Sequence, residues 1–191
     1  LPWFGRKVAK GGVIYQAGEG AAGLRRKRIP AYRRYNDLTA ADDIPFVLLP
    51  GRVNLWDGAA HTADLIAEIK HWAGRMSEPL KLVIIDTLQK VRDSKGSAGK
   101  AGMYGNDYDD ISSIKKIADE HDISIILVHH LRKLKDGDDP FNEVSGSTGI
   151  TGAADTNYVL KRKRSSRDAT LLACGRDVEY QELTLQFNDL V

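Results

Sequence analysis

Three apolar runs in this chain end on residues that can do chemistry. Leu82-Val83-Ile84-Ile85 ends on Asp86, Val13-Ile14-Tyr15-Gln16-Ala17 leads into Gly18-Glu19-Gly20, and Ile125-Ile126-Leu127-Val128 ends on His129-His130. Runs of aliphatic residues read as strands buried on both faces, as in a parallel sheet. A polar side chain leaving such a strand stands at the sheet's carboxyl edge, where open α/β folds bind ligands. Asp86 is placed to hold the water shell of a nucleotide-bound Mg²⁺, a cation that needs only one or two carboxylates beside the phosphates. The alternative for Asp86 is a carboxylate capping the next helix or turn. Glu19 lies between two glycines, which permit backbone conformations that leave a short acid projecting into an open cleft. A carboxylate there could orient and deprotonate a water attacking a terminal phosphate; its other reading is an ordinary turn residue. Adjacent strand residues face opposite ways, so only one of His129 and His130 can serve a given site. That one is either a satisfied core histidine or a hydrogen-bond donor that senses a γ-phosphate and moves the following loop.

Other chemistries find little support. Nowhere does Gly-x-x-x-x-Gly-Lys-Ser/Thr occur. Gly96-Ser97-Ala98-Gly99-Lys100-Ala101 resembles such a phosphate loop but lacks the first Gly, and Ala101 replaces the Mg²⁺-binding hydroxyl. No strand is expected to feed a helix N-terminus there, which an anion site of this kind needs. There is no Gly-x-Ser-x-Gly nucleophile elbow. With one cysteine, and with His61, His71 and His121 lacking ligand-type spacing, a zinc site is not expected.

At 191 residues, 42% hydrophobic and 28% charged, the chain suits one soluble domain with a sizeable core. The net charge of +2 demands no polyanionic partner. Charge is uneven, however: Arg25, Arg26, Lys27, Arg28, Arg33 and Arg34 crowd one segment, and Lys161, Arg162, Lys163, Arg164 and Arg167 another. Such runs are solvated faces or contacts for phosphates or subunits. Cys174 stands alone, so no intrachain disulfide forms and a reducing, cytoplasmic setting is expected. No apolar run reaches membrane-span length, and no signal peptide is evident. The chain begins with Leu rather than Met, which we read as a fragment or processed product.

The elements that must position these residues follow from periodicity. Strands are expected at 13–17, 46–49, 53–56, 82–86 and 124–128. A basic helix is expected over 21–35, broken or restarted at Pro30, with further helices over 61–75 and 108–121. Residues 92–106 read as a mobile loop and 132–145 as a polar loop. Three alternating strands, 156–161, 169–174 and 181–187, suit an antiparallel edge. This order predicts an α/β sheet flanked by helices.

Assembled, these residues resemble the RecA-like P-loop ATPases of the plasmid and phage RepA-type replicative helicase branch, an AAA-type ATPase. The matching blocks are Phe4-Gly5-Arg6-Lys7-Val8 with Gly12-Val13-Ile14-Tyr15 and Ala17-Gly18-Glu19-Gly20; Leu82 to Thr87, the Walker B pattern; Ile126 to Lys133; and Ser145 to Gly149 with Ala153-Ala154-Asp155-Thr156. They cover nearly the whole chain in the family's order. The resemblance implies a single RecA-like domain over 1–191, mostly parallel with antiparallel C-terminal strands, and lacking at its N-terminus the P-loop strand and helix. It implies Glu19 as the catalytic carboxylate, Asp86 as the Mg²⁺ partner through water, and Thr87 and His129 beside the nucleotide. His130 is the preferred sensor. Arg176, in Gly175-Arg176-Asp177, matches the place of a finger arginine presented to a neighbour's nucleotide; Lys161 and Arg162 are rivals for that role.

The implied activity is ATP hydrolysis, with ATP and Mg²⁺ as cofactors, coupled to single-stranded DNA in replication or recombination. The implied assembly is a ring, commonly a hexamer. Lys95, Lys100, Arg132, Lys133 and Lys135 are then the DNA-contact candidates. Without a phosphate cradle, this chain itself is expected to be inactive and to bind nucleotide poorly, and a sheet edge is expected to be exposed. The alternatives are a non-catalytic DNA-binding or assembly module on a decayed RecA-like fold, and a regulatory RecA-like ATPase acting on protein partners.

Overall fold

A computed structural model describes residues 4–50, 62–91, 100–132, 139–144 and 148–186. The chain divides into two compact units: Leu1–Ser94 with Lys116–Val128, and Lys95–Lys115 with His129–Val191.

The first unit is built on a four-stranded parallel sheet, with strands β1 (Gly12–Ala17), β2 (Phe46–Leu49), β3 (Leu80–Asp86) and β4 (Ser124–Val128) in the order β2-β1-β3-β4. The order explains the composition of β3. It pairs on both sides, with Val83 opposite Ile14 and Ile125, and Ile85 opposite Gln16 and Leu127. Its backbone groups are therefore spent on two ladders, and its side chains meet protein on both faces. On one face Ile14, Val83 and Ile85 are fully buried. Helix α3 (Ala63–Ala73) packs against β3 and turns Leu65 and Ile69 inward, one helical turn apart. The other face is less covered: Val13, Tyr15, Leu82 and Ile84 are only half-buried. Gly12 marks a close approach, since a Cβ there would run into Met76 Sδ.

After β1 the chain winds through α1 (Ala21–Gly23), a π-helical turn (Leu24–Arg28) and α2 (Ile29–Tyr35). The expected break at Pro30 does not occur. Proline falls in the first turn of α2, where its missing N–H costs little. The short helix α4 (Leu88–Val91) follows β3, and the long helix α5 (Lys100–His121) contributes to both units. Its start lies well inside the 92–106 stretch read as a loop. Lys, Ala and Met there are good helix formers, and their preference outweighs the penalty of about 1 kcal/mol for each of Gly102 and Gly105.

The second unit carries an antiparallel sheet, β5 (Thr156–Arg162), β6 (Asp168–Gly175) and β7 (Gln181–Gln186), close to the expected bounds. Val159 pairs with Leu172, and both are buried. Helix α6 (Thr148–Ala153) begins inside the Gly146–Gly149 stretch read as loop and buries Ile150 and Ala153. The buried Glu143 carboxylate accepts a hydrogen bond from Lys161 Nζ at 2.8 Å, which compensates its loss of water. The expected strand at 53–56 lies outside the described residues.

Strand β4 is an edge strand among the described residues. Its Ile126 shares the less covered face with Ile84 and is 43% exposed. Edge and centre should therefore respond differently to substitution. Ile85→Ala is expected to cost about 2–5 kcal/mol in urea unfolding, whereas Ile126→Lys should cost under about 1 kcal/mol and reduce self-association in light scattering. Equal losses at the two sites would contradict the edge placement.

Candidate functional site

The parallel register brings the strand ends of the first unit to one level. Ala17 lies opposite Asp86, and Asp86 opposite Val128. Beyond that level the Gly18 N–H donates to the Asp86 carbonyl oxygen at 2.6 Å. This bond ties the turn after β1 to the end of β3, so Glu19 leaves the sheet one residue past the tie. Gly20 follows with φ of 66°, a left-handed conformation that suits glycine, and opens α1. Glu19 is exposed at that turn. Glu19 and Asp86, far apart in sequence, thus leave adjacent strands at the same edge.

Tyr15 joins them. It pairs with Ile84, and Asp86 lies two residues further along the same face, so the phenol reaches the carboxylate. Its hydroxyl donates to Asp86 Oδ2 at 2.6 Å. Burial, the hydrogen bond to Asp86 and that group's charge push the Tyr15 pKa up to about 12. Sequence reasoning missed this residue. Tyr15 reads as one more apolar strand position, and only the pairing register shows that its hydroxyl meets Asp86.

Thr87 follows Asp86 across a cis peptide bond and is 2% exposed. Its hydroxyl oxygen has no hydrogen-bond partner among the described residues. A buried hydroxyl normally finds one, so this orphan beside a strand-end carboxylate fits a site completed by a polar ligand. Among the described residues no group of three or more His, Cys, Asp or Glu side chains converges as a metal cage. One carboxylate and one hydroxyl suit Mg²⁺, which keeps most of its water. The donor set therefore fits the expected hydrated cation.

The remaining candidates belong to the second unit. His129 directly follows Val128 and is half-buried; its Nδ1 lies 3.0 Å from the His130 carbonyl oxygen, a contact that needs the proton on Nδ1. His130 is exposed. Arg132 is exposed too, and its backbone N–H donates to the Glu143 carbonyl. Arg176 sits between β6 and β7. Its guanidinium lies 3.7 Å from Asp155 Oδ1, and its N–H donates to the Asp155 carbonyl. Asp155 also accepts from Lys115 Nζ. Exposed pairs of this kind hold little energy, so Arg176 can leave Asp155 at small cost. Lys161, by contrast, is committed to buried Glu143, whereas Arg162 is exposed at the end of β5. Lys100 is the first residue of α5, and Lys95, Lys133 and Lys135 lie outside the described residues.

The parallel sheet with acids at its carboxyl edge, together with the antiparallel C-terminal strands, defines a RecA-like α/β domain. The chain belongs to the AAA domain family, whose profile matches residues 1–136. Two solved structures share the fold. The ATPase domain of a helicase superposes with a TM-score of 0.64 at 16% identity, covering 93% of this chain and 71% of that one. The RadB recombinase superposes with a TM-score of 0.56 at 13% identity, covering 92% of this chain and 75% of that one. No curated protein matches the sequence.

The Tyr15–Asp86 bond has a measurable signature. A phenol with a raised pKa stabilises the fold fully below its unfolded value near pH 10 and loses that contribution as pH rises through about 12. Tyr15→Phe should cost about 1–2 kcal/mol at neutral pH. The gap between wild type and variant should narrow from pH 10 upward, measured by urea unfolding with tyrosinate absorbance followed in parallel. A gap that is flat or widens in that range would contradict the bond.

Proposed function

We propose that the chain is a single RecA-like ATPase domain that hydrolyses ATP and couples hydrolysis to single-stranded DNA, in a replicative helicase or a related recombination ATPase. The observation that carries this reading is the tie between strand ends: Gly18 bound to Asp86 sets Glu19 and Asp86 at one sheet edge beside the orphaned Thr87 hydroxyl. Membership of the AAA domain family supports the nucleotide, and the helicase and recombinase likenesses support the DNA-directed role.

In this reading Asp86 holds Mg²⁺ through water, with Tyr15 fixing the carboxylate's orientation and Thr87 donating to the same shell. Bound Mg²⁺ supplies charge neutralisation on the terminal phosphates. Glu19 accepts a proton from the attacking water and orients it, a positioning role that suits phosphoryl transfer. His130 reports the γ-phosphate to the segment that follows it, with His129 beside the nucleotide. Arg176 leaves Asp155 to stabilise charge in a neighbour's site, within a ring of identical subunits. Lys95, Lys100, Arg132, Lys133 and Lys135 meet the DNA backbone. The 191 residues carry no Gly-x-x-x-x-Gly-Lys-Ser/Thr, so they lack the backbone cradle and the Lys that grip the β- and γ-phosphates.

Two measurements test this reading. The 191-residue chain should bind Mg-ATP weakly; micromolar affinity in equilibrium dialysis would overturn the inactive-chain assignment. Where the domain is presented beside a phosphate-binding loop, Glu19→Gln should lower DNA-stimulated hydrolysis by roughly 10²–10⁴-fold, the range of a lost general base. Unchanged turnover would remove Glu19 from catalysis. Turnover that DNA neither binds nor stimulates would favour a regulatory ATPase acting on protein.

A further inference from the structure

The positive charge of this protein is concentrated on one helical segment that the proposed chemistry does not use. Between Ala21 and Tyr35 lie six basic residues and no acidic one, while the rest of the chain, with 22 basic against 26 acidic residues, is net negative. The π turn and α2 set the phase of this segment. Leu24, Ile29 and Arg33 are half-buried, at spacings of five and four residues, so the wider π turn followed by an α turn keeps one side inward. The other large side chains of the run point out: Arg25, Arg26, Lys27, Arg28 and Arg34 are exposed, with Tyr32 and Tyr35 at 48% and 58% exposure. Arg28, Tyr32 and Tyr35 recur at spacings of four and three, which lines them along one side.

None of Arg25, Arg26, Lys27, Arg28 and Arg34 forms an ion pair among the described residues. The second basic cluster differs. Its Lys161 is engaged by Glu143, and Arg162 and Arg167 also have interactions. Four consecutive like charges in a helix repel one another unless a counter-charge meets them. A phosphate backbone supplies that counter-charge at regular spacing, and exposed aromatic faces among cations are platforms on which unpaired bases stack. An acidic protein surface would match the charge but leave the tyrosine faces without a complementary group.

We propose that the Ala21–Tyr35 segment is a nucleic-acid contact, taking the phosphate backbone of a single strand on Arg25, Arg26, Lys27 and Arg28 and its bases on Tyr32 and Tyr35. It takes its ligand class from the function proposed above but is a different surface from the five basic residues assigned there. The segment begins two residues after Glu19, so a strand bound to it lies one short helical turn from the catalytic carboxylate in the chain.

The test is fluorescence anisotropy of the 191-residue chain with a labelled oligothymidine of about 20 nucleotides, long enough to span one such groove, over a salt series. Reversing Arg25, Arg26, Lys27 and Arg28 to Glu should flatten the log–log salt dependence by about 3, the value for four single-strand phosphate contacts, and lower affinity at about 50 mM salt by roughly 30-fold or more. Replacing the three arginines with Lys should preserve both. Tyr32→Leu with Tyr35→Leu should weaken binding about tenfold and leave the salt slope unchanged. Far-UV circular dichroism confirms folding of each variant. A folded Glu variant with unchanged affinity and slope overturns the inference. So does a Glu variant that alters only sedimentation, which makes the partner another copy of the chain. Lys133→Glu with Lys135→Glu separates the two surfaces: if only that pair loses binding, the inference fails and the proposed function stands. If wild type does not bind, both fail.

Discussion

The parallel pairing of β3 with neighbours on both sides is the constraint on which the rest depends. Val83 and Ile85 are buried because the strand is flanked, and the strand can be so apolar because both its ladders are filled. A one-residue slip of this register would send Ile85 to the thinly covered face and turn Asp86 away from Tyr15. It would also move the Asp86 carbonyl away from the Gly18 N–H. The packing of the core and the position of the acids are therefore one property. The hydrophobic face fixes the register, and the register fixes which polar groups meet at the strand ends.

The site that results is asymmetric in its commitments. Asp86 is held on one oxygen by a phenol and through its backbone by Gly18, whereas Glu19 stands exposed on a glycine-flanked turn. A carboxylate that holds a cation has to be oriented before the ion arrives, and a proton acceptor has to face solvent and substrate. The two carboxylates have the surroundings that these different tasks need. The orphaned Thr87 hydroxyl fits the same division, since it is positioned by burial and completed by whatever binds.

Charge is divided in a comparable way. Lys161 and Arg176 are tied to Glu143 and Asp155 within the second unit, one pair with a buried partner and the other in the open. The basic segment after Glu19 forms no such ion pairs through Arg25, Arg26, Lys27, Arg28 or Arg34 among the described residues, and it carries aromatic rings among its cations. Cations committed to internal acids serve the fold, and cations left without them are available to a ligand. Sequence alone counts both kinds equally.

Much of the fold was legible in the chain. Four-residue aliphatic runs bury themselves best as central strands, so β3 and β4 and the polar residues after them could be placed from pattern, as could the alternating C-terminal strands. The family likeness was legible because those strand-end residues occur in a fixed order. Helix boundaries were less legible: α5 starts at Lys100 inside a stretch rich in glycine and serine, and α2 runs through Pro30, because a π turn and local helix formers override the breakers. What only the tertiary structure decided was adjacency. Tyr15 meeting Asp86, Gly18 tied to Asp86 and Lys161 spent on Glu143 are pairings between separate elements, set by strand register and packing. Sequence determines which residues must leave a buried strand, because burying apolar side chains is a local demand. It does not state which of them arrive side by side, because that is settled by how strands align.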